Sequence, residues 1–137
     1  MHSPSLESFP LQTIPRLLGR NAEAIEACRN LRPKFIMFGL WRNGWFQQLL
    51  DYNCALIGPD DLLRAAGSNK WSQSEAHYYI GMSHLAEANR NAAREHFGHC
   101  VATRIFYSFE YQWSRAFLAR MEQDPTWPPW IPVKPEP

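Results

Sequence analysis

Charge of one sign is what this sequence lacks most plainly: 14 Lys and Arg stand against 13 Asp and Glu, a net of +1 in 137 residues. So even a balance gives no long-range field to hold a polyanion, and nucleic acid is not an expected partner. No apolar run approaches the roughly 18 residues of a membrane span, so no membrane association is expected. The opening MHSPSLESFPLQTIPRLLGR lacks a positive start followed by an apolar stretch, and a signal peptide is not expected either.

Cysteine is scarce and poorly placed for bridging. Cys28, Cys54 and Cys100 are odd in number and far apart, without a CxxC pair, which argues against a disulfide framework or a zinc finger. Free thiols in a reducing compartment, the cytoplasm, are the expectation, each packed as a small apolar side chain. Catalytic signatures are missing as well: no GxSxG, HExxH, phosphate-binding loop or GxGxxG occurs. A non-catalytic protein with neither cofactor nor metal is therefore expected.

What is present is apolar and aromatic. Residues of the apolar class make up 45% of the chain against 20% charged, the balance of a chain that folds. Residues 1–15, with Pro4, Pro10 and Pro15 among serines, read as an extended arm, and Leu6, Phe9, Leu11 and Ile14 could let part of it pack on the body. From Arg16 onwards Leu17, Leu18, Ala24, Ile25, Cys28 and Leu31 recur at helical intervals until Pro33, which is expected to stop the helix. Gly39 and Gly44 divide the aromatic segment that follows into a short helix near 34–41 and a firmer one over 44–56.

Gly58-Pro59-Asp60-Asp61 restarts a helix over 59–66, since proline is tolerated in a first turn and two aspartates suit its positive end. Ser72 and Glu75 have the spacing of a capping box for a helix reaching about Ala88. Two more helices are expected over 91–103 and 108–122. The tail, 124–137, is too rich in proline to be helical. The expected architecture is all-α, with a helical domain over 16–123.

Residues 74–107 resemble a single tetratricopeptide repeat, a helix–turn–helix unit of about 34 residues. Gly81 stands at the family's small position in the first helix, with Ile80 before it. Ala93 takes the small position of the second helix, Phe97 the large aromatic position, and Cys100 the next small one. Small residues let two antiparallel helices approach while Ile80 and Phe97 fill the space beside them. His77, His84, Ala88 and Ile105 depart from the pattern. Val101-Ala102-Thr103, followed by Phe109-Glu110-Tyr111 and Ala116, is similar to the closing helices of bacterial repeat proteins related to the lipoprotein NlpI. Trp45 to Ala66 is similar to the helices before that repeat, and Gly19-Arg20-Asn21 with Ala24, Ile25 and Cys28 to part of a degenerate repeat.

The resemblance implies stacked antiparallel hairpins and a scaffold that binds a protein or peptide through an inner groove. On that alignment the groove-facing residues are Glu75, Tyr78, Met82 and Leu85. The alternative is a small metal-binding protein or enzyme using His96, His99 and Cys100, or Glu110. His96 and Cys100 form an i, i+4 pair able to grip a metal ion, but the repeat assigns Cys100 to packing and leaves His96 and His99 outside. Glu110, between two aromatic residues at a helix start, is expected to cap or to be hydrogen-bonded. Trp127 and Trp130 are expected to fold back over the last helix near Trp113 and Phe117; if they cover a second copy instead, the chain is a homodimer.

Overall fold

The structure, a computed structural model, describes residues 13–37 and 44–135, with backbone alone at 34–37. Every regular element among them is an α-helix, so the fold is all-α. Helix α1 covers 13–17. It is followed by α2 (Asn21–Met37), α3 (Gly44–Asn53), α4 (Pro59–Ala66), α5 (Lys70–Ala86), α6 (Arg90–Ala102) and α7 (Phe109–Gln123). No helix among the described residues is long and apolar enough to cross a membrane.

Four local expectations need correcting. Pro33 does not end α2, which continues to Met37. Pro33 and Arg29 both lie on the exposed side, where the carbonyl that proline leaves unpaired can meet water. Residues 13–15 are helical rather than extended, because Pro15 sits in a first turn, where its missing N–H costs nothing. The rest of the expected arm, 1–12, lies outside the described residues, as do 38–43 of the aromatic segment. Helix α3 stops at Asn53, where the chain turns through Ala55 at φ 58°. Finally, Ser72 and Glu75 form no capping box. Asn69 caps α5, its Oδ1 accepting from the Ser72 N–H at 3.0 Å, while Glu75 turns to Trp45. The aspartate signal is used as expected: Asp61 Oδ2 accepts from the Gly58 N–H at 3.2 Å at the start of α4.

Helix α5 is the centre of the molecule and packs against α3, α4, α6 and α7. Its Ala76, Tyr78, Tyr79, Ile80, Gly81, Met82 and Leu85 are buried. The tightest approach is to α6: a Cβ added at Gly81 would lie 2.7 Å from Phe97 Cε1, a distance that real contacts essentially never show. Ala88 closes the turn between these helices in the left-handed region, at φ 64°, a conformation that strains any residue with a Cβ. The Asn89 and Ala88 amides complete the turn by donating to the carbonyls of His84 (2.8 Å) and Leu85 (3.0 Å).

The first and last described segments meet over this core. Thr13 Oγ1 and the Tyr78 hydroxyl are hydrogen-bonded at 2.7 Å, and the buried Arg16 donates to Asn53 Oδ1 at 2.6 Å and to Asn21 Oδ1 at 3.2 Å. From the other end, Trp127 reaches Phe117, with ring centroids 5.4 Å apart, and Trp130 donates from Nε1 to the Leu17 carbonyl at 2.7 Å. The Arg90 guanidinium fastens the tail, donating to the carbonyls of Trp127, Pro128 and Ile131 at 3.1, 3.0 and 2.6 Å. Gly19, at φ 79°, lies against the tail: a Cβ there would stand 3.3 Å from Ile131 Cγ1.

Candidate functional site

The residues expected to line an inner groove divide sharply. Tyr78, Met82 and Leu85 are fully buried, so as placed they do not present an open surface. The physical reason is that α5 is enclosed by its neighbours, with Thr13 of α1 seated on the Tyr78 hydroxyl. Glu75, one turn nearer the start of α5, is only half-buried.

Around Glu75 the structure gathers a distinct set of groups. The Trp45 indole N–H donates to Glu75 Oε1 at 3.3 Å. Glu110, buried in the first turn of α7, lies close enough for its charge to act on Glu75. Burial pushes the Glu75 carboxyl up to about 7, the Glu110 charge adds to this, and hydrogen bonds from Trp45 and Trp71 pull it back. Burial likewise pushes Glu110 up to about 7, against hydrogen bonds from its own backbone and from Ser108. Two carboxyls that hold their protons near neutrality thus share one end of the α5–α7 joint.

Exposed aromatic rings lie on α5, on α7 and in the turn before α7, and Trp71 among them is hydrogen-bonded to Glu75. Trp71 is 42% exposed, Tyr107 80%, Phe106 54% and Trp113 36%. Trp71 and Tyr107 have centroids 5.5 Å apart. Phe109 stands edge-on to Tyr78 at 5.7 Å and to Trp113 at 6.3 Å. Of this group the sequence reading singled out Glu75 and Glu110, but separately. Trp71 precedes Glu75 by four residues and so shares its helix face, a signal present in the sequence. Nothing local marks Tyr107, which sits in the turn before α7.

The chain matches no family model, no curated protein and no solved structure.

The histidines form a second cluster, on the outer side of the α5–α6 hairpin. His77 Nδ1 and His96 Nδ1 lie 3.0 Å apart, one ring donating to the other. His99 lies 4.9 Å from His77 between centroids, and His84 stacks on His96 at 5.5 Å. Burial and the neighbouring imidazoles lower His77 to about 4, which favours its neutral form. The residues of the metal alternative differ in exposure. Cys100 is buried with its sulfur 3.4 Å from Ser74 Oγ, whereas His99 is exposed. Among the described residues no three or more metal-ligating side chains are arranged to hold an ion.

Proposed function

We propose that this chain is a non-catalytic protein-binding scaffold of the tetratricopeptide type, working in the cytoplasm and taking a peptide segment that presents a lysine or arginine between apolar residues. The observation that carries the reading is Glu75, held by Trp45 and Trp71 within reach of the Glu110 charge, beside the exposed rings of Trp71 and Tyr107. Contiguous exposed aromatic surface marks association sites, and tryptophan and tyrosine dominate binding energy where they occur. A cation brought to the two carboxylates would relieve their mutual repulsion, and its alkyl stem would lie on the aromatic faces. The close α5–α6 packing at Gly81 and Phe97 supports the repeat-type reading, because it gives the rigid platform on which such recognition loses little entropy.

Carboxyls poised near 7 also suit general acid–base chemistry, which is the second reading. The two are separable. Peptides selected from a random display library on the immobilised chain, then titrated in solution by tryptophan fluorescence, should carry Lys or Arg beside apolar residues. Trp71→Ala and Glu110→Gln should each weaken binding about tenfold or more, with circular dichroism unchanged. Affinity should rise from pH 6 to pH 8, because a cation prefers the ionised carboxyls. A selection without basic residues, or variants that bind as well as the parent, would overturn the proposal. Self-association lost in Trp71→Ala would instead make a second copy the occupant.

A further inference from the structure

The two cysteines of the N-terminal region come together although 26 positions separate them: Cys28 Sγ and Cys54 Sγ stand 3.1 Å apart. Cys28 lies within α2 and Cys54 in the turn just past α3, and both side chains are buried. Cys100 is elsewhere, beside Ser74. Odd number and wide spacing suggest three separate thiols; the fold pairs two of them.

We propose that Cys28 and Cys54 are a thiol pair that closes into a disulfide on meeting a low-molecular-weight disulfide such as glutathione disulfide, locking α2 to α3. Three features of the site favour the reaction. The sulfurs are already in contact, so closure needs little backbone movement. Three arginines lie near the pair and outnumber the one carboxylate that acts on it, Asp51: Arg29 donates from Nε to the Cys54 carbonyl at 2.8 Å, Arg32 pairs with Asp51 at 3.3 Å, and the buried Arg16 guanidinium acts on Cys28. Hydrogen bonding with Cys28 lowers the Cys54 thiol against the opposing effect of burial, and Arg32 and Arg29 add to the lowering while Asp51 opposes it. Cys54 is therefore the nucleophile and Cys28 the resolving thiol. Access comes through the turn after Cys54, where Ala55 and Leu56 are exposed and Ala55 is strained at φ 58°.

The exchange balances in two steps. The Cys54 thiolate attacks one sulfur of the oxidant, forming a mixed disulfide and releasing one glutathione thiolate, which takes up the proton that Cys54 gave to solvent. The Cys28 sulfur then attacks Cys54 Sγ as its proton leaves, and the second glutathione departs as the thiol. The cysteine pair loses two electrons and two protons, and the oxidant is reduced to two thiols.

The test uses the full chain, reduced and then equilibrated in buffers of graded glutathione to glutathione disulfide ratio. Acid quenching, denaturation and alkylation precede measurement of intact mass. The expected product is two hydrogens lighter than the reduced chain, alkylates at Cys100 alone, and yields a linked Cys28–Cys54 peptide. Its melting midpoint should rise on the order of 10 °C over the reduced chain. Cys100→Ala should form the same bond, and Cys54→Ser should form none. A wild-type chain of unchanged circular dichroism that still alkylates at all three cysteines in excess glutathione disulfide would overturn the proposal. So would a stable glutathione adduct at Cys28 or Cys54, or a bond that requires Cys100.

Discussion

The α5–α6 hairpin and the α1–α3 region are held together by different physics. Between α5 and α6 the centre of the contact is apolar and shaped by size, with Phe97 lying where a side chain at Gly81 would be, and polar contacts such as His77 with His96 lie beside it. In the N-terminal region polar groups make the connections, most of them buried and Arg29 exposed. Arg16 reaches Asn53, Thr13 reaches Tyr78, Arg29 reaches the Cys54 carbonyl, and Cys28 meets Cys54. Apolar packing is non-directional and tolerates small shifts, whereas a buried guanidinium must find its acceptors or be left unsatisfied. The hairpin therefore acts as the platform, and the N-terminal helices fit onto it in one register.

Breaking each region should show that difference. Phe97→Ala removes a fully buried ring and is expected to cost about 3–5 kcal/mol, read as a lower urea midpoint. Arg16→Ala is expected to cost less, about 2–3 kcal/mol, since Asn53 Oδ1 loses its donor inside the fold. Arg16→Met should recover part of that loss, because burial works against the guanidinium and lowers its pKa. Amide exchange would separate the two regions. The Arg16 variant should expose 13–18 while α5 and α6 stay protected, and the Phe97 variant should loosen all of them together. Uniform loosening by both would mean that the regions are one cooperative unit.

The acidic joint gives a pH-dependent comparison. Glu110 holds its proton up to about 7 in the fold, above its value in the unfolded chain. Between the unfolded and folded values the native state binds more protons, so stability falls as pH rises through that window. Glu110→Gln should therefore stabilise the chain at pH 8 by on the order of 1–2 kcal/mol and leave it nearly unchanged at pH 4. His77 works in the opposite direction at lower pH. Lowered to about 4 by burial and by its histidine neighbours, it costs stability as pH falls from its ordinary value towards 4. Thermal melts of the parent and of Glu110→Gln across pH 4 to 8 would check both signs. A difference between them that grows towards acid would contradict the assignment.

How much of this was legible in the sequence follows the same divide. The helices now placed at Pro59–Ala66, Arg90–Ala102 and Phe109–Gln123 fall within about one residue of their expected limits; Pro59 with Asp60 and Asp61 marks the first start locally, and Ser108 caps the last. Pro33 misled, since a proline on an exposed face can be carried inside a helix. The contact of Cys28 with Cys54 and the influence of the Glu110 charge on Glu75 were invisible, because they join residues far apart in sequence and no short-range pattern encodes them. Of the expected groove, Glu75 reaches the surface while Tyr78, Met82 and Leu85 pack inside. Periodicity identifies the inner face of a helix but does not reveal which neighbour covers it.

The smallest expected effect tests the start of the platform helix itself. A serine followed three residues later by glutamate is read from sequence as a capping box, yet Asn69 is the residue whose side chain accepts an end amide of α5. Asn69→Ala should cost about 1 kcal/mol, the usual loss of an N-cap. Ser72→Ala should cost less, because Ser72 contributes its backbone N–H to the cap and alanine keeps that group. Chemical denaturation of the two variants side by side settles the order. If Ser72→Ala proved the costlier, the helix would begin at Ser72 in solution, and Trp71 would leave the face it shares with Glu75. The aromatic rim of the acidic site would then lose its geometric basis. The weak Asn69 cap therefore also sets the register of the binding surface.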